Sequence, residues 1–544
     1  MLGDLSVRRA MSRLHNKTAE QRRVVDEMRQ RAEALTGSGR ASAKAKNKKP
    51  PPLCFVEVAG EADLKQGFFP DGMLSGVAIG VSDALDVLEF RTRYGAESPL
   101  LHQMPHTEFA FVSWLRRRGA RFIGKLACKT PLTMGEASVL VPEHPAAAAV
   151  HLKACNYAIG SALMGPAALS SPVHYDVAAF KPTAQCFATF TGGYRLSIPS
   201  MSIGITAARL DDIFYLWEVF TSAIQPGYFL DESQREPGGG GSSTGTDQDS
   251  KTHGVSGSSS SSSSTRTRTS VSAGSSNRSG GGVAAGGAAR PSRSVSYMGF
   301  DKVSMSGSPK ELRGRHTELS VGYPADWIDS LCQERLLSAD EFRRRILRLV
   351  TTQNAMRKNE LLEVIPLTLD VDLEVVFKAI QTISLYELSR AVDGLFAPAG
   401  HGGGRASSSR PSTMSQSGLL DELPDELVPA IFNGRALTSL DYQRALRTRE
   451  NVARATAEQF RDVDLIVTPI LSEPYVSGSM RSIAPLLPFS LGGNPMVSVQ
   501  LEADLPVALI GELGRDTGLF EDSTTFLQFV RGTSPPWWRR KFMS

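Results

Sequence analysis

The sequence predicts an α/β fold, a mixed β-sheet core covered on both faces by helices and interrupted by disordered insertions. Three observations predict it. Short apolar runs bounded by Gly or Asp recur along the chain, segments with helical spacing fill the intervals, and the alternation persists over hundreds of residues. With 544 residues, 41% of them hydrophobic, the chain can bury one large core carrying insertions.

The elements follow in order. Val77 to Val81 (VAIGV) suits a strand buried on both faces. Phe109, Val112 and Leu115 recur at helical spacing, Arg116 to Arg118 sit where cations favour the C-terminal dipole, and Gly119 supplies a left-handed cap. A strand over Arg121 to Gly124 comes directly after, and a small-residue helix is placed at Ala146 to Val150. Later strands are expected at Val177 to Phe180, Leu465 to Val467, Met496 to Val499 and Val507 to Ile510, with helices at Ala339 to Arg357 and Ser439 to Phe460.

Three polar stretches divide this pattern. Residues 38–52 (SGRASAKAKNKKPPP) form a basic linker, 238–296 a Ser/Gly-rich disordered insertion with seven consecutive Ser, and 400–417 a flexible loop. They separate N-terminal helices (1–37) from a core in three parts, 53–237, 297–399 and 418–544.

Composition excludes several classes. Sixty Lys and Arg against fifty-six Asp and Glu leave a formal charge of +4, too little for nucleic-acid binding by the whole surface. RNA contact would rest on the local clusters Lys44, Lys46, Lys48 and Lys49, and Arg539, Arg540 and Lys541 beside Trp537 and Trp538. Cys54, Cys128, Cys155, Cys186 and Cys332 are far apart, with neither a disulfide framework nor zinc-ligand spacing. His102, His106, His144, His151 and His174 show no ligand motif, so no metal site is expected. Gly192-Gly193 and Gly492-Gly493 read as turns rather than phosphate loops, and no cofactor is expected. No apolar run is long enough for a membrane span. Arg8, Arg9, Arg13 and Lys17 against the single acid Asp4 have the composition of a mitochondrial presequence; an ordinary N-terminal helix is the preferred reading.

Several segments, in chain order, resemble the amidase-signature family, in particular its glutamyl-tRNA(Gln) amidotransferase branch, the A-type chains. They are LSVRRAMSRL with MRQRAEAL, which look like that family's opening helices, then GVAIGVSDALDV, WLRRRGARFIGK, FKPT (Phe180 to Thr183), SIGITAARLDD (Ser202 to Asp212), DVDLIVTPI (Asp462 to Ile470), PFSLGGNPMVSV (Pro488 to Val499) and LPVALIGE (Leu505 to Glu512). The resemblance implies the amidase-signature fold and a site in which a Lys base and a bridging Ser activate a Ser nucleophile. A hydroxyl attacks poorly until a base within hydrogen-bond reach takes its proton, and neighbouring backbone N–H groups must receive the oxyanion.

Measured against that pattern, each catalytic position is altered. The Lys of the family's Val-Lys-Asp turn is Ser82, whose hydroxyl is no base near neutral pH. The bridging-Ser approach reads VPEHP and places Glu143 there, with no Gly and only ten residues, Glu136 to Pro145, before the Ala run. The nucleophile position falls on Ala167 or Ala168, and a turn glycine becomes Pro166, which has no N–H. Ser170 and Ser171 are the rescue candidates; Lys125 and Lys153, the nearest lysines, are off the base position.

The expected function is therefore that of a non-catalytic, amidase-like protein with a structural or assembly role in a larger complex linked to mitochondrial translation. A working amidase or an A-type amidotransferase chain with a rearranged site and a small-ligand binding module are the alternatives. Protein partners and a mitochondrial, otherwise cytoplasmic, location accompany the first reading.

Overall fold

A computed structural model describes residues 6–15, 17–39, 41, 51–61, 64, 72–93, 104–127, 145–163, 169, 175–184, 186, 200–222, 319–333, 339–356, 362–396, 427–470, 484–502 and 505–531. All belong to the unit formed by residues 1–225 and 311–544. The linker at 38–52 falls largely outside the described residues, and the insertion at 238–296 and the loop at 400–417 fall wholly outside them.

In chain order the elements are α1 (Val7–Leu14), α2 (Thr18–Ala34), β1 (Phe55–Val58), β2 (Ala78–Ser82), α3 (Ala110–Arg117), β3 (Arg121–Leu126), α4 (Pro145–His151), β4 (Tyr157–Leu163), β5 (Ala178–Lys181), β6 (Met201–Ala207) and α5 (Leu210–Ser222). There follow β7 (Leu319–Pro324), α6 (Ala325–Gln333), α7 (Ala339–Met356), β8 (Leu362–Leu367), α8 (Leu373–Phe396), α9 (Leu427–Ala436), α10 (Ser439–Gln459), β9 (Leu465–Pro469), α11 (Leu487–Gly492), β10 (Met496–Glu502), β11 (Leu505–Ile510) and α12 (Asp516–Arg531). Every expected element is present within a residue or three of its expected ends, except that the helix over MRQRAEAL begins at Thr18 rather than Met28. Gly119 adopts φ +94°, the left-handed cap expected of it. Gly493, at φ +89°, closes α11, so the Gly492-Gly493 pair is a helix end.

The strands form one mixed sheet in the order β1-β3-β2-β4-β6-β5-β10-β11-β9-β7-β8. Parallel pairs (β2 with β3 and β4, β7 with β8 and β9) flank an antiparallel centre. Strand residues alternate between faces, and the apolar layers follow that alternation. Ile79, Val81, Tyr157, Ile159, Phe180, Val497, Val507 and Leu509 join the layer beneath α1, α3, α5, α7 and α12. The opposite face is covered in two blocks. Ala78 and Ala158 pack with α2 and α4; Ala179, Ile466, Met496, Ala508 and Ile510 pack with α6, α8, α10 and α11.

The first layer is richest in aromatic rings at its centre. Phe180 meets Trp217 edge-on at a centroid distance of 5.2 Å and Phe520 at 4.7 Å, joining β5, α5 and α12. Truncating Phe180 to Ala removes a buried ring from three elements at once, and a loss of about 3–5 kcal/mol is expected in the unfolding free energy measured by chemical denaturation.

Candidate functional site

Ser82 closes β2. Its carbonyl accepts from Leu85 N at 3.0 Å and its Oγ from Ala84 N at 3.3 Å, so the hydroxyl is spent on stabilising the turn that follows the strand. The side chain is almost wholly buried.

The pairing of β2 with β3 decides which side chains share Ser82's face. Val81 pairs with Lys125 and Ser82 with Leu126, after a register shift between Ile79 and Gly80. Paired residues of a parallel ladder lie on one face, so Lys125 lies on the side of Val81, in the first layer. Ser82 lies with Leu126, whose side chain packs in the layer of α2 and α4. A Cβ added at Gly80 would meet Leu126 at 3.2 Å, which confirms that Gly80 and Leu126 share that face. The buried Lys125 Nζ donates to Leu85 O and, at 3.4 Å, to Thr92 Oγ1, which in turn donates to Asp86 Oδ1 at 2.7 Å.

Lys153 is farther away. It follows α4 in a turn at φ +56°, exposed, with its carbonyl accepting from Arg31 Nη1 at 3.1 Å. Tyr157, the first residue of β4, pairs with Ile79 near the start of β2, which puts Lys153 at the opposite end of the strands from Ser82.

On Ser82's face, the two helical blocks are separated by residues with little or no side chain. Gly160 on β4 pairs with Gly204 on β6, and beside them Gly80 lies one strand away. Among the described residues, a Cβ added at Gly160 would meet no atom within 4 Å. Leu169, between Ala168 and Ser170, is buried in the layer of Ala179, which brings that point of the chain to the same face.

A buried polar cluster stands at the same end of the sheet, on β5 and β10. Met496 pairs with Lys181, whose Nζ donates to Asn494 O at 2.8 Å and to Pro182 O at 3.2 Å. Thr183 donates to Asp516 twice, from its N–H at 2.7 Å and its Oγ1 at 2.6 Å, while its Oγ1 accepts from Gly514 N at 3.0 Å. Asn494 Nδ2 donates to Gly511 O at 3.0 Å, and its Oδ1 accepts from Thr456 Oγ1 at 3.3 Å. Burial lowers the Lys181 amine to about 7 and raises the Asp516 carboxyl above its ordinary value, with their mutual attraction opposing both shifts. Burial also pushes the Cys186 thiol up to about 12, so it is no nucleophile near neutral pH. This cluster was legible only as the scaffold motifs FKPT and LGGNP.

Of the altered catalytic positions and rescue serines, Ser82 is the one the structure describes. Glu143, Ala167, Ala168, Ser170 and Ser171 lie outside the described residues, as do Lys44, Lys46, Lys48, Lys49, Arg539, Arg540 and Lys541. Among the described residues no cluster of His, Cys, Asp and Glu could hold a metal ion, and no helix is long and apolar enough to cross a membrane.

With this topology the fold is that of the amidase-signature enzymes. The structure is similar to a crystal structure of an amidase (TM-score 0.57, 18% identity, covering 95% of this chain and 99% of that one). It is also similar to allophanate hydrolase of Kluyveromyces lactis (TM-score 0.58, 15% identity, 98% and 74%). A third likeness is to the A chain of glutamyl-tRNA(Gln) amidotransferase from Thermotoga maritima (TM-score 0.57, 12% identity, 97% and 95%). No protein-family model and no curated protein matches the chain by sequence.

The Lys181 amine gives this end of the sheet a measurable signature. An amine lowered on folding is protonated in the unfolded chain and neutral in the native one between about pH 7 and its ordinary value of 10.5. Stability should therefore rise with pH across that window and be lost as pH falls toward 7; Lys181→Met should flatten the rise, measured as unfolding free energy at a series of pH values.

Proposed function

We propose that this chain is an amidase-fold protein without amidase catalysis, retained as a structural or assembly component of a larger complex. The observation that carries the reading is the environment of Ser82. A base at this position is what the amidase-signature site requires, and here a turn-capping hydroxyl occupies it. Neither nearby lysine can substitute, since Lys125 lies on the other face of the sheet and Lys153 at its other end. Ala at both candidate nucleophile positions, Ala167 and Ala168, removes the attacking group as well. Base and nucleophile act as a unit, so their joint loss leaves nothing for a single substitution to restore.

The preserved body supports a continuing task for the fold. Apolar layers on both faces, the Gly493 helix end and the Lys181–Asn494–Asp516 cluster are all intact. Association with a mitochondrial, translation-linked assembly belongs to this proposal, with Lys44, Lys46, Lys48, Lys49, Arg539, Arg540 and Lys541 as the RNA-facing residues.

Purified protein incubated with glutamine and simple amides should release no ammonia above a heat-inactivated control, and Ser170→Ala and Ser171→Ala should leave that baseline unchanged. Turnover abolished by either substitution would establish the rival reading, an amidase with a displaced nucleophile. Affinity purification of the endogenous protein should recover stoichiometric protein partners, and recovery of the chain alone would contradict an assembly role.

A further inference from the structure

The basic, amphipathic N-terminus is a built part of the core. Val7, Ala10 and Leu14, one face of α1, are buried, and Val7 joins the first apolar layer. The Ser6 side chain does not cap the helix. A residue 205 positions away supplies the acceptor instead: Asp212 Oδ1, in the first turn of α5, takes the Val7 N–H at 2.6 Å. Tyr157 on β4 donates its hydroxyl to the Asp212 carbonyl at 2.8 Å, fixing the turn that presents this carboxyl. Arg8 pairs with Glu218 and lies over the Tyr215 ring at 5.1 Å, both farther along α5. At the other end of α1, Gln21 of α2 donates to Leu14 O at 2.9 Å, satisfying one of the terminal carbonyls.

We propose that α1 is a permanent part of the mature fold, clasped onto α5 and β4 by the Asp212 carboxyl. Loss of α1 would expose the apolar face it covers and leave Asp212 without its N–H partner, so removal of this segment as a targeting peptide is incompatible with the packed core. Burial outweighs the help of the Val7 N–H and of Arg209 and pushes the Asp212 carboxyl up to about 6. The Val7 N–H itself favours the ionised carboxylate, as a donor at a helix N-terminus does.

Hydrogen exchange on the full-length protein tests the clasp. After correction for intrinsic rates, the amides following Val7 in α1 should be protected. Asp212→Ala, which removes the acceptor of the Val7 N–H, and Glu218→Gln, which releases Arg8, should each lower that protection while the amides of β10 and β11 stay protected. Exchange of α1 at intrinsic rates, or unchanged protection in Asp212→Ala, would overturn the clasp. The N-terminal peptide of the protein purified from its own cells should contain Val7; a mature chain beginning beyond Leu14 would overturn permanence.

Discussion

A strand buried on both faces gives each side chain one choice of layer, and that choice governs everything else in this molecule. Along β2 it sends Ile79 and Val81 into the layer of α3 and α5 and leaves Gly80 and Ser82 on the side of α2 and α4. A single register shift in the β2–β3 ladder then commits Lys125 to the face away from Ser82. An amine two or three residues away along a loop could be recruited by a small backbone change. An amine on the far side of an eleven-stranded sheet cannot, because reaching across would reverse the pairing of the whole strand.

The face bearing Ser82 is also where the apolar covering divides. Residues of β4 and β6 present Gly160 and Gly204 between the two blocks of helices, while the buried Lys181 cluster ties β5, β10 and α12 together at the same end of the strands. Lys181 donates to backbone carbonyls of its own strand end and of the turn before β10, an arrangement suited to holding a seam. Its position on β5, with β4 and β6 between it and β2, separates it from Ser82. In that cluster Lys181 and Asn494 both donate to backbone carbonyls.

Much of the fold was legible because buried strands advertise themselves. VAIGV, LIV and VALI are short apolar runs, and each lies in a strand whose residues are buried. Strands β1 (FVEV), β4 (YAIGSAL), β6 (MSIGITA), β7 (LSVGYP) and β8 (LEVIPL) escaped sequence reasoning. FVEV and LEVIPL lie at the two edges of the sheet, half exposed, and both β7 and β8 carry a Pro that demotes them on pattern alone. Ser82 was found from the motif around it, but the face of Lys125 depends on a ladder irregularity that no local pattern encodes. Asp212 and Asp516 were invisible as partners, since their bonds span 205 and 333 residues of sequence. The helix at the N-terminus was legible in its resemblance to the family's opening helices, whereas what anchors it lies in α5.

The claim that no hydroxyl of this chain is activated is tested most directly by exposing the folded protein to an electrophilic phosphonate that traps activated serines, and reading the intact mass. The account predicts an unmodified chain. A single stoichiometric adduct, mapped to Ser170 or Ser171 and lost on unfolding, would contradict it.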